Sequence, residues 1–163
     1  MLTLPRTLRF TARSFAQKLV PNGFQRRTFI VTIDGPAASG KSTTAKRVAH
    51  RLGFQYLDSG SLYRAITLRL LQDKALDHRS TEDHDWERIA RAAQVKIQTT
   101  QNPTGLKVRT FLDGKDVTNM IRSPWVTENV SVVAQNPLIR QVILDLQHRL
   151  AQDPIRPRST VDL

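Results

Sequence analysis

Hydrophobic residues recur with different spacings along this chain. Early on, residues 29–33 and 54–57 are short runs of mostly apolar or β-branched side chains, a pattern typical of strands buried in a parallel sheet. Each run is followed by apolar residues spaced three and four apart, which predicts helices over 42–52 and from Asp58 through 70. Their predicted core faces hold Ala45, Val48, Ala49 and Leu52 in the first helix, and Leu62, Ala65, Ile66 and Leu70 in the second.

Later the spacing of apolar residues changes to two. A polar linker at 77–85 and a predicted helix around 86–93 precede the change. Residues 95–98 and 106–112 alternate apolar and polar side chains, and Asp113-Gly114 is a two-residue type I′ turn signal that returns the chain through 115–117. This pattern predicts a small antiparallel sheet.

A pair of helices is predicted next, divided by Pro124 and Pro137, because proline is favoured in the first helical turn. Apolar residues line one face of each helix. They are Val126, Val130, Val133 and Ala134 in the first, and Leu138, Ile139, Val142, Ile143, Leu146 and Leu150 in the second.

A glycine-rich segment stands between the first predicted strand and the first predicted helix. Residues 35–42 are GPAASGKS and match the phosphate-loop pattern G-x-x-x-x-G-K-[ST]. Gly35 and Gly40 let backbone N–H groups converge on a polyphosphate, and the helix N-terminus adds further N–H groups. In such a loop Lys41 binds the β- and γ-phosphates and the Ser42 hydroxyl holds Mg²⁺. The simpler alternative, a glycine-rich turn before a surface helix, does not explain why both flanking elements fit the motif.

Composition limits the classes of protein that fit. A chain of 163 residues is expected to form one domain, and no apolar stretch approaches the roughly 20 residues of a membrane span. The chain has no cysteine, which excludes disulfides and thiolate metal sites. The histidines lack the spacing of metal ligands and are interpreted as surface residues: His50, His78, His84 and His148.

The net charge of +11 is unevenly distributed and does not favour a nucleic-acid-binding protein. The first 28 residues hold six basic side chains and no acidic one. The rest of the chain has a mild basic excess without the runs of like charge expected of a nucleic-acid-binding arm. Residues 1–27 are expected to be a disordered basic leader. Their composition is that of an organellar transit peptide, but a plain disordered extension or a start codon placed too far upstream is the favoured interpretation.

Four segments resemble bacterial cytidylate kinases in the same order and spacing: IDGPAASGKST (33–43), LDSGSLYRA (57–65), FLDGKDVT (111–118) and IRSP (121–124). The second and third are far more specific than the phosphate loop. The resemblance implies an α/β fold of the P-loop nucleoside-monophosphate-kinase type, with a parallel sheet flanked by helices. It also implies a kinase domain at 28–152, with a small antiparallel β insert in the NMP-binding part at about 77–135, and a tail at 153–163.

The resemblance further implies a reaction and a site. Such kinases transfer the γ-phosphoryl group of ATP to CMP or dCMP with Mg²⁺, so these small molecules are the expected partners, and a monomer in the cytoplasm is expected. Lys41 is the expected catalytic residue, Ser42 the metal ligand, and Asp34 either orients the Mg²⁺ shell or caps its turn. The expected ATP-binding residues are Gly35, Pro36, Ala37, Ala38, Ser39, Gly40, Lys41, Ser42 and Thr43. The expected CMP-binding residues are Ser59, Arg64, Ser131 and Arg140.

One departure from the family pattern qualifies the activity. Cytidylate kinases continue with a Gly-Arg-Asp segment that ends a core strand and with an arginine-rich lid, whereas here residues 159–163 resemble only the start of that strand. The chain is therefore expected to correspond to the N-terminal two-thirds of the enzyme. The alternatives are a catalytically incomplete nucleotide-binding fragment and another small-molecule P-loop kinase.

Overall fold

The fold is a set of helices packed beside one small antiparallel sheet. A computed structural model describes residues 30–35, 39–76 and 83–152. Its helices are α1 (Lys41–Leu52), α2 (Ser59–Gln72), α3 (Asp83–Ala92), α4 (Pro124–Gln135) and α5 (Pro137–Gln152), with a 3₁₀ turn at Met120–Arg122. Its strands are β1 (Val95–Asn102), β2 (Gly105–Leu112) and β3 (Lys115–Asp116). Among the described residues, no helix combines the length and the apolar character needed to cross a membrane.

Helix α2 lies at the centre of the core. Asp58 caps its start, because the carboxylate accepts a hydrogen bond from the Gly60 N–H at 3.0 Å. The predicted face is confirmed as buried, but Leu68 and Leu71 are buried as well, so the helix is covered on most sides. It contacts α3, α4, α5 and the sheet. A helix that is apolar on most of its surface can only be stable in such a central position.

The antiparallel sheet is confirmed, with strand order β1-β2-β3. Val95 pairs with Leu112 and Asn102 with Gly105, so β1 and β2 form a hairpin. Asp113 and Gly114 adopt φ angles of 49° and 80°, the positive values that a type I′ turn needs at both positions.

The pair α4 and α5 is also confirmed, and both helices have side-chain caps. The Ser123 hydroxyl accepts from the Val126 N–H at 3.4 Å at the start of α4. The Asn136 side chain accepts from the N–H groups of Leu138 at 2.9 Å and Ile139 at 3.2 Å at the start of α5. These caps satisfy backbone donors that have no partner within the helix.

Helix α3 begins earlier than the sequence pattern predicted, at Asp83, so the last three residues of the predicted linker are helical; residues 77–82 lie outside the described part. Acidic residues in a first turn interact favourably with the helix dipole, which explains the earlier start. Arg91 at its other end donates to the Asp145 carboxylate on α5 at 3.1 Å. Hydrogen bonds from Gln141 and then from Arg91 lower the pKa of Asp145.

Neither of the two predicted parallel strands is observed as a strand in the described part of the chain. Residues 30–33 and 54–57 have no strand pairing, and Phe29 lies outside the described part. Ile30 and Val31 are 68% and 54% exposed, and on α1 only Ala49 of the predicted face is buried. A strand requires hydrogen bonds to a neighbouring strand, and the described residues offer these segments no such neighbour. The described residues therefore form a mixed α/β architecture with a small antiparallel sheet.

Candidate active site

The described part of the phosphate loop leads directly into α1. Gly35 and Gly40 have φ angles of 156° and 83°, which favour glycine, and the Lys41 ammonium donates a hydrogen bond to the Gly35 carbonyl. The predicted residues Pro36, Ala37 and Ala38 lie outside the described part of the chain. Ser42 and Thr43 are exposed in the first turn. Asp34 is exposed too, and accepts none of the hydrogen bonds found among the described residues.

A side chain at Gly35 would be crowded. A Cβ atom there would lie 3.2 Å from the Ser39 Oγ, which is a tight contact, and 3.7 Å from the Lys41 Cγ, which is an ordinary one. No described side chain caps the start of α1, and its first turn contains no acidic residue. The free N–H groups, the dipole and Lys41 together fit a phosphate group.

Tyr56 lies beside Lys46 of α1, whose ammonium is 5.6 Å from the centre of the Tyr56 ring. Burial raises the pKa of the Tyr56 phenol, the Asp58 carboxylate raises it further, and Ser42 and the charge of Arg122 oppose the rise.

Arg64 on α2 is held in a fixed position between the 3₁₀ turn and α4. Its guanidinium donates to the Ile121 carbonyl at 3.3 Å and to the Thr127 hydroxyl at 2.8 Å. Ser131 is exposed one helical turn beyond Thr127, so both lie on the same side of α4. The structure therefore places the predicted residues Arg64 and Ser131 at one junction of two helices.

Arg140 on α5 lines an open groove of about 390 Å³. Tyr63, the neighbour of Arg64 in sequence, lines the same groove. Arg140, the third of the predicted CMP-binding residues, is therefore in the same region as Arg64. Ser59, the fourth, is exposed in the first turn of α2, one turn before Tyr63. It makes no hydrogen bond to the other three among the described residues. The groove is completed by Pro137, Gln141, Ile143, Leu144 and Gln147.

Sequence reasoning assigned no role to Tyr56, Arg122 or Thr127. Tyr56 was grouped with the apolar residues of a predicted strand, yet it is 7% exposed while Phe54 and Leu57 on either side are 36% and 37% exposed. The signal in the sequence was a ring that carries a hydroxyl directly before the specific segment 57–65.

The segment 111–118, one of the most specific in the resemblance, is structural in this protein. Asp113 accepts from the Gln94 N–H at 2.8 Å and from Arg69 at 3.1 Å, which ties the hairpin turn to α2. Asp116 accepts from the Thr118 N–H at 3.0 Å, and hydrogen bonding to Thr118 lowers the pKa of Asp116. None of these contacts involves Arg64 or the phosphate loop.

The chain is similar in sequence to known proteins. A family model described as cytidylate kinase matches residues 31–156. A cytidylate kinase of Caldanaerobacter subterraneus subsp. tengcongensis is 42% identical over 125 residues, which are 77% of this chain and 51% of the relative. A cytidylate kinase of Limosilactobacillus reuteri is 43% identical over 123 residues, 76% of this chain and 51% of the relative.

A longer relative in Synechococcus elongatus is named bifunctional pantoate ligase/cytidylate kinase and is 39% identical over 150 residues, 89% of this chain and 27% of that protein. The chain spans about half the length of the single-function relatives that it matches. By the extent of the family match and by these identities, the chain belongs to the cytidylate kinase family.

Proposed function

We propose that this protein acts in the ATP-dependent phosphorylation of CMP and dCMP to their diphosphates. The observation that carries the proposal is the Arg64 guanidinium, held by hydrogen bonds to the Ile121 carbonyl and the Thr127 hydroxyl, in a chain whose phosphate loop leads directly into α1. Phosphoryl transfer depends mainly on positioning the two substrates and neutralising charge between them. A loop for one polyphosphate and an arginine for a second phosphate meet both needs.

On the donor side, the proposed ATP-binding residues are 35–43, with Lys41 as the group that neutralises charge on the transferred phosphoryl. Ser42 is the proposed Mg²⁺ ligand because its hydroxyl is exposed at the loop. When bound, Mg²⁺ stabilises the negative charge that develops on the phosphate oxygens. The loop contributes its fixed N–H groups without reorganisation during the reaction.

On the acceptor side, Arg64 and Arg140 are proposed to bind the CMP phosphate and Ser59 and Ser131 its cytosine. A guanidinium matches a phosphate with two parallel hydrogen bonds, and hydroxyls can bond the edge of a base. The bonds to Ile121 and Thr127 support this role, because a guanidinium that is already held loses less conformational entropy on binding.

A second candidate is a nucleotide-binding unit with little turnover of its own. The observation that favours it is the exposure of Ile30 and Val31 directly before the loop, at 68% and 54%. A catalytic loop is most precise when the element that carries it is packed, since misplacement by about 1 Å can cost roughly a hundredfold in rate. Under this candidate ATP and CMP bind and ADP forms slowly.

Binding and turnover measured on the purified chain separate these candidates. We expect calorimetry to detect binding of ATP and CMP, and a coupled ADP assay to favour CMP and dCMP over UMP and AMP. Lys41→Ala is expected to abolish ATP binding. Arg64→Ala is expected to weaken CMP binding about ten- to hundredfold and leave ATP binding unchanged, because a hydrogen bond to a charged group contributes roughly 1.5–3 kcal/mol.

Arg88→Ala is the matched control, because the Arg88 side chain on α3 is 73% exposed and, within the described part of the chain, forms an ion pair with Asp85 at 3.3 Å. It is expected to leave both affinities unchanged. A preference for AMP over CMP, or equal losses in Arg64→Ala and Arg88→Ala, would contradict the proposed function. CMP binding without measurable turnover would select the second candidate.

A further inference from the structure

The Arg64 guanidinium is held through a single one of its nitrogens. Both hydrogen bonds that this side chain forms start at Nη1: one runs to the Ile121 carbonyl at 3.3 Å and the other to the Thr127 hydroxyl at 2.8 Å. Because Nη1 carries two protons, these bonds use both of them. Within the described part of the chain, Nε and Nη2 donate no hydrogen bond and Arg64 forms no ion pair with a carboxylate.

The edge of the guanidinium that remains suits a phosphate group. The N–H groups of Nε and Nη2 include two that are parallel, on the side of the guanidinium that faces away from Nη1. Two parallel N–H groups match two oxygens of one phosphate and bind it more strongly than a single hydrogen bond does. Every other edge of the group requires a proton of Nη1, so Arg64 held in this way offers a ligand this edge alone.

Thr127 is well placed to fix this orientation. Its bond to Arg64 is the shorter of the two, and its own backbone N–H donates to the Ser123 carbonyl at 3.0 Å at the start of α4. A threonine in a helix has two common χ1 rotamers, so its hydroxyl is confined to a small region. The other acceptor is a backbone carbonyl, so the Thr127 hydroxyl is the part of this arrangement that a substitution can remove.

We propose that Thr127 is a positioning residue for the acceptor phosphate: its hydroxyl, together with the Ile121 carbonyl, engages Nη1 of Arg64 and thereby leaves the Nε–Nη2 edge to bind the phosphate of CMP. This inference rests on the proposed function, since it requires Arg64 to bind that phosphate. It adds which edge binds and which side chain selects that edge. Thr127 itself contacts no nucleotide in this arrangement.

A double-mutant cycle measures whether Thr127 acts through Arg64. Binding of CMP and of ATP to the purified chain is measured by calorimetry for the wild type, Thr127→Val, Arg64→Ala and the double variant. Thr127→Val keeps the branched shape and removes the hydroxyl. It is expected to weaken CMP binding about three- to tenfold, because a long side chain must then be ordered on binding, and to leave ATP binding within twofold of wild type. In the Arg64→Ala background the same change is expected to alter CMP binding less than twofold.

Two further variants separate the hydroxyl from other effects of substitution. Thr127→Ser keeps the hydroxyl and loses a methyl group, so it is expected to bind CMP within twofold of wild type. Thr100→Val is the matched control, because the Thr100 hydroxyl is exposed on β1 and forms no hydrogen bond within the described part of the chain. This variant is expected to change neither affinity.

A spectroscopic measurement tests the Arg64 orientation without any nucleotide. In protein carrying ¹⁵N-arginine, the Nη1 and Nη2 of a guanidinium give separate signals when rotation about its Nε–Cζ bond is slow, and one merged signal when it is fast. Arg64→Lys identifies the signals of Arg64. They are expected to be separate in the wild type and in Thr127→Ser, and to merge in Thr127→Val.

Unchanged CMP affinity in Thr127→Val, or the same loss in Thr127→Ser, would overturn the inference. The same loss with and without Arg64, or an equal loss of CMP and ATP affinity, would show a merely structural role and overturn it as well. So would Arg64 signals that are merged in the wild type or separate in Thr127→Val. In each of these cases, weaker CMP binding in Arg64→Ala leaves the proposed function standing. Failure of the wild-type protein to bind CMP would instead refute the proposed function, and the inference with it.

Discussion

Asp113 stabilises the hairpin turn in three ways, and replacing it by alanine removes all of them. One carboxylate oxygen accepts from the Gln94 N–H at 2.8 Å. The other accepts from Arg69 at 3.1 Å. The residue also has a φ of 49°, a left-handed conformation that aspartate tolerates better than alanine.

The expected cost follows from these contacts. The hydrogen bond from the Gln94 N–H contributes about 1 kcal/mol to the free energy of unfolding, because a partly exposed hydrogen bond contributes less than a buried one to a charged acceptor. The ion pair contributes about 0.5 kcal/mol, because its side chains are 32% and 35% exposed and water screens the charges. Alanine in the left-handed region costs about 1 kcal/mol more. Asp113→Ala is therefore expected to lower the free energy of unfolding by roughly 2–3 kcal/mol.

Urea denaturation followed by circular dichroism measures this loss, and two further variants separate its causes. Asp113→Asn keeps an acceptor oxygen and the tolerance for positive φ, so it is expected to lose about 0.5–1 kcal/mol. Asp113→Gly loses both contacts without the backbone strain and is expected to fall between the other two. Alanine no worse than glycine would refute the strain argument. A loss of CMP or ATP affinity at unchanged stability would show that Asp113 belongs to the site.

Two more predictions concern ATP binding at the phosphate loop and the loss of folding stability at low pH. Gly35→Ala is expected to weaken ATP binding, measured by calorimetry, about tenfold, because the new Cβ would crowd the Ser39 hydroxyl at 3.2 Å. Gly105→Ala is the control, because Gly105 has a similar φ of 143° but open space around it, and this variant is expected to bind ATP normally. The pKa of Asp145 is lowered in the folded protein, first by the hydrogen bond from Gln141. The Asp145 carboxylate therefore stabilises the fold at pH values above its unfolded pKa of about 3.9, and this stabilisation is lost as pH falls through its folded pKa. Thermal unfolding between roughly pH 7 and 3 is expected to show the stability difference between wild type and Asp145→Asn shrinking below about pH 4; a constant difference would contradict it.

Patterns of local origin were correctly predicted from the sequence alone. Helix α1 ends at 52 as predicted, before Gly53, whose φ of 68° is left-handed, and α2 begins directly after Asp58, which caps it, because helix ends depend on residues within a few positions. The β1-β2-β3 meander follows from the two-residue period and the Asp113-Gly114 turn, since neighbouring strands joined by a short turn find each other locally.

Pairing and proximity between distant segments were decided only by the tertiary structure. The runs at 30–33 and 54–57 have the composition of buried strands, but a strand depends on a partner elsewhere, and none is present among the described residues. The hydrogen bond from Arg64 to Thr127 joins residues far apart in sequence, and no local pattern specifies such a pair. The sequence determined which residues could bind phosphate, whereas packing of α2 against α4 and the 3₁₀ turn decided which of them are held in place, because only packed neighbours fix a long side chain.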